Sequence, residues 1–108
     1  MKRPPPTRQD GMAAAKALKE RLLSRGYPIQ KLHVFGSVAK GQSHAWSDID
    51  IAVLCEPFLP SKHDENVRFL LESKEVDVRI QTVCLHPEDF TNKYWNLIQE
   101  VKDHGIVI

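Results

Sequence analysis

The sequence predicts a small α/β domain (α+β by topology), with a mixed, largely antiparallel sheet and helices mainly on one of its faces. Runs near positions 47–53 and 75–83 alternate apolar with polar residues, the period of two expected for half-buried strands. Other segments carry apolar residues at helical spacing among alanine, leucine, lysine and glutamate. A chain of 108 residues can bury one core, so one domain is expected.

The N-terminal part of the sequence is predicted to form an arm followed by a helix. Residues 1–9 contain three consecutive prolines and three basic residues, so we expect a flexible N-terminal arm and a domain over 10–108. Asp10 is a typical helix cap. The helix is expected to end near Arg25, because Gly26 is a typical C-terminal stop.

The remaining pattern predicts three strands and two further helices. Strands are expected at about 31–35, 47–55 and 75–83, and helices at about 61–73 and 86–104. Helical spacing predicts the following inward-facing residues: Val67, Leu70, Leu71, Phe90, Tyr94, Leu97, Ile98 and Val101. The apolar tail at 106–108 is expected to form an edge strand or, together with Trp95, to contact a partner.

A glycine-bearing turn follows the first predicted strand. Gly36 and Gly41 bracket it, and glycine allows unusual backbone angles and the close approach of a ligand. Ser37 adds a hydroxyl, and neighbouring backbone N–H groups can bind phosphate. The spacing is neither that of a Walker P-loop nor that of a dinucleotide-binding G-x-G-x-x-G turn.

Two aspartates share one face of the second predicted strand. Asp48 and Asp50 are two residues apart, so their Cα atoms lie roughly 6–7 Å from each other on the same side. Such carboxylates can share a divalent cation. Ile49, Ile51 and Val53 alternate with them and set the register, because a one-residue slip would bury the carboxylates. Taken alone, the pattern is more typical of the polar face of an amphipathic strand.

The glycine-bearing turn and the strand with two aspartates together form a far more specific pattern than either does alone. It resembles the signature of the nucleotidyltransferase superfamily that includes DNA polymerase beta, and within it the minimal nucleotidyltransferases, which are often encoded beside a HEPN-domain partner. Each motif position is filled, by Gly36, Ser37, Ala39, Gly41, Ser47, Asp48 and Asp50. The resemblance implies a polymerase beta-like fold and metal-dependent transfer of a nucleoside monophosphate, with AMP from ATP favoured, to an acceptor hydroxyl. The implied acceptor is a HEPN-type partner, for instance its tyrosine, in a toxin–antitoxin-like pair.

The resemblance also implies roles for individual residues. Asp48 and Asp50 would hold Mg²⁺ or Mn²⁺, and a third carboxylate would come from a later strand, where Asp77 stands in a Val-Asp-Val context. Glu75 has the same strand parity and competes with Asp77 for this role. The implied nucleotide-binding residues are Gly36, Ser37, Lys40, Gly41 and Ser47. Lys40 has a plain alternative as a solubilising surface lysine.

Composition and residue spacing argue against several other classes of protein. A net charge of +1 argues against extensive nucleic-acid binding, and a polymerising enzyme would need further domains and a basic surface. Cys55 and Cys84 show no metal-binding spacing and are expected to be reduced thiols of a cytoplasmic protein. No apolar run approaches the ~20 residues of a membrane helix, and no signal peptide is expected. The rival hypothesis is a non-catalytic antitoxin, a binding module that neutralises a partner through complex formation.

Overall fold

The computed structural model describes residues 4–108. Its elements in chain order are α1 (Arg8–Ser24), β1 (Ile29–Phe35), α2 (Gly36–Lys40), β2 (Ile49–Cys55), α3 (Lys62–Lys74), β3 (Ile80–Leu85), a 3₁₀ helix (Pro87–Thr91), α4 (Asn96–His104) and β4 (Ile106–Val107). Within this part of the chain, none of the helices combines the length and the apolar character needed to cross a bilayer.

The four strands form one mixed sheet in the order β3-β2-β1-β4. Strand β1 pairs antiparallel with β2 and β4, while β2 and β3 are parallel and are joined by the crossover helix α3. Apolar side chains of α1, α2 and α3 pack on one face of the sheet, here called the α3 face. Those of α4 pack on the other, the α4 face. The predicted fold class is confirmed.

Helix α1 begins earlier than predicted, and Asp10 is not its cap. The hydroxyl of Thr7 accepts a hydrogen bond from the Asp10 N–H (3.0 Å), and the Asp10 carboxylate accepts one from the Thr7 N–H (2.8 Å). This reciprocal pair is a capping box. Pro6 is buried, and its carbonyl accepts a hydrogen bond from the Ser43 hydroxyl. Residues 1–3 of the predicted arm lie outside the described residues.

Helix α3 turns a partly polar side toward the sheet. Its cap is Ser61, whose hydroxyl accepts a hydrogen bond from the Asp64 N–H (3.1 Å). Val67 and Leu71 are predicted to face inward, and this prediction is wrong, because both are exposed, Leu71 by 63%. The residues that the helix buries instead are Glu65, Phe69, Glu72 and Ser73.

The buried Glu72 explains why a glutamate can face inward. Its carboxylate accepts hydrogen bonds from Arg21 (2.8 Å), Arg25 (2.6 Å) and the Tyr27 hydroxyl (3.0 Å). Burial alone would raise the pKa of Glu72, but these donors together lower it. Removing one partner of such a buried pair is strongly destabilising, so this contact holds α3 against α1.

Strand β3 is shorter than the predicted strand at 75–83 and begins only at Ile80. The chain first makes a turn, in which the Asp77 N–H donates to the Ser73 carbonyl (2.9 Å). The Asp77 carboxylate then accepts a hydrogen bond from the Arg79 N–H (2.9 Å). Aspartate side chains commonly stabilise turns by bonding to the backbone two residues on, and here that bond competes with strand geometry.

The predicted helix at 86–104 is interrupted. A 3₁₀ helix comes first, the backbone turns extended at Asn92 (φ −83°, ψ 102°), and α4 follows after Trp95. Ile98 and Val101 are buried as predicted. Tyr94, predicted to be a core residue, is 87% exposed because it lies in the break between the two helices.

The apolar tail forms an edge strand, the first of its two predicted alternatives. Strand β4 pairs with β1, and Ile106 and Ile108 pack against the core. The Lys19 ammonium donates a hydrogen bond to the Ile108 carbonyl (2.9 Å). Trp95 packs against the apolar cluster of the α4 face. These residues therefore stabilise the domain itself.

Candidate active site

The two predicted aspartates lie at the start of β2. Asp48 immediately precedes the strand and is exposed, and Asp50 is its second residue and is half-buried. Asp50 alternates with Ile51, which packs on the α3 face, and shares the parity of Ala52 and Leu54, which pack on the α4 face. Both carboxylates therefore belong to the α4 face, at one end of the sheet.

The predicted glycine turn lies directly against the Asp50 carboxylate. Phe35 pairs with Asp50 across the sheet, so the turn after β1 begins beside that residue. Gly36 adopts φ +72° and starts the short helix α2. A Cβ placed on Gly36 would lie 2.3 Å from the Asp50 Oδ2 atom, so the site needs glycine here for both its backbone angle and its lack of a side chain.

The local charges make Asp50 hard to ionise. Burial, the charge of Asp48 and the charge of Glu100 together raise the pKa of Asp50 to about 6. Glu100 lies on α4, so Asp48 and Glu100 both repel the Asp50 carboxylate at this end of the sheet. A divalent cation would offset this repulsion, and carboxylate oxygens are the ligands that Mg²⁺ and Mn²⁺ prefer. The residues present fit such an ion.

Lys40 forms an ion pair with Glu100 (Nζ–Oε1 2.8 Å). Lys40 is the last residue of α2, so the pair connects the turn to α4. Its predicted contact with a phosphate stays a prediction. The position is compatible with it, because a triphosphate arriving at this turn would compete with Glu100 for the ammonium group.

The other predicted nucleotide-binding residues shape the loop between β1 and β2. Gly41 ends α2 with φ +70°, and the Ser37 carbonyl accepts a hydrogen bond from the Gln42 N–H (2.8 Å). The buried Ser47 hydroxyl accepts one from the His44 N–H (2.8 Å). Ser47 therefore stabilises the loop, whatever contact it makes with a nucleotide.

The structure does not place Asp77 on the strand beside Asp50. Asp77 lies in the turn before β3, where its carboxylate pairs with the Arg79 guanidinium (2.8 Å). Both groups act electrostatically on Asp10, in the first turn of α1, the helix that packs on the α3 face. The competitor Glu75 is the exposed C-cap of α3. Neither acid occupies a strand position beside the aspartate pair.

Gln81 occupies that strand position. In the parallel register of β2 and β3, Asp50 pairs with Gln81, and neighbouring strands lie about 4.8 Å apart. Gln81 alternates with Ile80, which packs on the α3 face, so its side chain shares the α4 face with Asp50. An uncharged amide thus stands next to Asp50, where the resemblance implies a third carboxylate.

Glu100, Gln81 and a second group of possible ligands are not evident from the sequence. Gln81 can be assigned to the face of Asp50 only once the start of β3 is known, and no local pattern marks Glu100. The second group joins four buried residues at the far end of β2 and β3, namely Cys55, Glu65, Cys84 and His86. Their positions in the chain show none of the usual metal-binding spacings.

Comparison with known proteins identifies the family of the chain and agrees with its fold. Residues 15–108 match the family described as nucleotidyltransferase domain. A protein of Sulfolobus solfataricus assigned as a nucleotidyltransferase has a TM-score of 0.65 at 16% identity, covering 93% of this chain and 80% of that one. A toxin–antitoxin structure with AMP-PNP has a TM-score of 0.63 at 23% identity, covering 86% and 70%. An MntA-HpeT toxin–antitoxin mutant has a TM-score of 0.61 at 22% identity, covering 86% and 69%.

At these identities the structural likeness establishes the fold. The comparison with curated proteins returned no match.

Gly36→Ala should disable metal binding more than folding. Its positive φ costs a non-glycine residue about 1 kcal/mol, and the new Cβ forces the Asp50 carboxylate away. The matched control is Gly26→Ala, at φ +83° with nothing within 4 Å of the added Cβ. We expect similar losses of thermal stability, but a loss of Mn²⁺ affinity of at least about tenfold only for Gly36→Ala. Equal Mn²⁺ affinities, measured by calorimetry, would contradict the contact.

Asp50→Asn should stabilise the metal-free protein at pH 8 and leave it unchanged at pH 4. Because the pKa of Asp50 is raised to about 6, the folded state holds its proton more tightly than the unfolded state, and stability is lost as pH rises from about 4 to 6. After allowance for solvent screening, the gain at pH 8 is on the order of 1 kcal/mol.

Thermal unfolding in chelator at the two pH values measures this effect. The control is Glu20→Gln, at an exposed acid of α1. A less stable Asp50→Asn protein at pH 8 would show that Asp50 is not repelled in the folded state.

Proposed function

Since the chain belongs to the nucleotidyltransferase domain family, we propose that it is a metal-dependent nucleotidyltransferase that transfers AMP from ATP to a hydroxyl of a partner protein. The proposed partner is a small helical HEPN-type toxin, with a tyrosine as acceptor, and the pair forms a toxin–antitoxin-like system. The proposed metal is Mg²⁺ or Mn²⁺, held by Asp48 and Asp50.

The contact between Gly36 and Asp50 carries this proposal. A phosphate-binding turn and a metal-binding carboxylate must meet at one place if a metal–triphosphate complex is to bind. Here the Cβ-free backbone of Gly36 lies against the Asp50 carboxylate, and Asp48 and Glu100 add negative charge. A cation that carries the phosphates would relieve this repulsion as it binds.

The compared structures support the proposal of a nucleotide substrate and of a partner protein. One similar toxin–antitoxin structure was determined with AMP-PNP. In another, an MntA-HpeT mutant, two aspartates spaced two residues apart are both replaced by glutamate, the spacing of Asp48 and Asp50 here. A tyrosine was replaced by alanine in a third.

Each residue of the site has a proposed task. Backbone N–H groups at the start of α2 and the Ser37 hydroxyl would bind the β- and γ-phosphates. Lys40 would exchange Glu100 for a phosphate oxygen, and Asp48 and Asp50 would orient the metal. The bound metal would supply charge neutralisation of the triphosphate and of the pyrophosphate that leaves.

One observation favours the rival function, a non-catalytic binding module. With Gln81 beside Asp50 and Asp77 in a turn, Asp48 and Asp50 are the two carboxylates at the start of β2, and β3 adds no third one beside them. In the resembled family the third carboxylate would hold the metal that activates the acceptor. A chain with this site can bind a metal–nucleotide complex yet transfer slowly, and it could then neutralise its partner through contact alone.

Label from α-labelled ATP should appear on the partner when the co-expressed complex is incubated with Mg²⁺ or Mn²⁺. In the Asp48→Asn/Asp50→Asn variant we expect the rate to fall by about 100-fold or more, because metal ligands contribute more than the outer-shell residues whose loss costs ~10–100-fold. The Glu20→Gln variant serves as the control. A stable complex that carries no label, and in which Asp48→Asn still neutralises the partner, would support the binding module instead.

Gln81→Asp should increase the transfer rate, because it adds the missing carboxylate beside Asp50. Asp77→Asn should leave the rate within about twofold, provided that its thermal stability shows an intact fold, because Asp77 lies in the turn with Arg79 and Gln81 is the residue paired with Asp50. Both rates are measured with the same labelling assay. Loss of transfer in Asp77→Asn, without any effect of Gln81→Asp, would show that Asp77 supplies the third carboxylate.

A further inference from the structure

A second group of metal-binding side chains lies at the opposite end of β2 from Asp50. Cys55 ends β2, five residues or about 16 Å along the strand from Asp50, and Cys84 lies near the end of the parallel β3. Glu65 of α3 and His86, just after β3, complete it. All four residues are buried, and one ligand atom from each lies within 4.8 Å of the others.

The distances between these atoms suit a tetrahedral ion. The two Sγ atoms are 3.6 Å apart, and bonds of ~2.3 Å from zinc to sulfur place two thiolates about 3.8 Å apart. Cys84 Sγ lies 3.9 Å from Glu65 Oε1. His86 Nε2 lies 2.6 Å from the same oxygen and would need to move by less than about 1 Å to share an ion with it.

Glu65 is positioned by the backbone before any ion arrives. Its Oε2 atom accepts hydrogen bonds from the N–H groups of Phe58 (2.5 Å) and Leu59 (3.3 Å). Its Oε1 atom is thereby directed toward Cys84 and His86. Outer-shell bonds of this kind orient the ligands of protein metal sites.

The donor set selects the ion. Thiolate sulfur and imidazole nitrogen favour Zn²⁺ and disfavour Mg²⁺, which takes oxygen ligands. Two thiolates and one carboxylate around Zn²⁺ leave one net negative charge, and the Lys62 ammonium is close enough to act on Cys84. The chemistry is thus separate from that of the Asp48/Asp50 site.

We propose that Cys55, Glu65, Cys84 and His86 bind one structural Zn²⁺ ion. The ion connects α3 to the ends of β2 and β3, the two parallel strands that carry Asp50 and Gln81 at their other end. On binding, both thiol protons are released to solvent, and the proton that His86 Nε2 donates to Glu65 moves to Nδ1 or to solvent. The four freed ligand atoms then form four metal–ligand bonds. Binding requires neither a nucleotide nor a partner, and so does not depend on the proposed function.

The test uses the full chain, purified under reducing conditions, stripped with a chelator and titrated with Co²⁺ and then Zn²⁺. We expect one ion per chain, an intense thiolate-to-cobalt absorption with tetrahedral visible bands, displacement of Co²⁺ by Zn²⁺, and a melting temperature that rises with zinc concentration. Zn²⁺ should also protect both thiols from alkylation.

Variants identify the ligands. Cys84→Ser and Glu65→Gln should each lower zinc affinity by at least about tenfold, whereas His44→Gln, at an exposed loop histidine, should not change it. A substitution at a buried residue can disturb folding. The cobalt spectrum of the wild-type chain therefore tests whether the site binds metal without relying on the variants. Absence of the thiolate absorption and of stoichiometric zinc in the reduced wild-type chain would overturn the proposal. A Cys55–Cys84 disulfide formed in air, with no metal bound after reduction, would overturn it equally.

Discussion

The structure depends on the fact that the two faces of β2 have different environments. Ile49, Ile51 and Val53 must be covered by α1 and α3, and this burial sets the pairing of β2 with β1 and β3. The same alternation directs Asp50 to the α4 face, beside Gly36. A one-residue slip would exchange the two sets, so a single register of β2 positions both the core and the candidate site.

Sequence patterns predict the features that depend on spacing between nearby residues. They do not predict contacts between segments that are distant in the chain. The turn at Gly36, the Asp48/Asp50 pair and the class of sheet follow from local spacing and alternation. The alternation around Asp77 predicts a strand, but the Asp77 carboxylate stabilises a turn with Arg79, and the strand begins only at Ile80.

Other differences between the predicted and the observed positions of residues have similar causes. Tyr94 has helical spacing but falls where the helix is interrupted, and Val67 and Leu71 are exposed because Glu65 and Glu72 find polar partners inside. The approach of Glu100 to Asp50, and of Cys55 to His86, joins residues about 50 and 30 positions apart, which no periodicity records.

The short strand β4 makes the two faces of the sheet unequally resistant to local opening. Only two residues of β4 pair with β1, and α4 leads directly into them, whereas α1 and α3 are joined to each other through the buried Glu72. Amide groups of α4 and β4 are therefore expected to exchange with solvent through smaller fluctuations than those of β1 and β2. Glu100 belongs to α4, so the same fluctuation would carry this acid away from Asp50 and expose the half-buried carboxylate without unfolding the sheet.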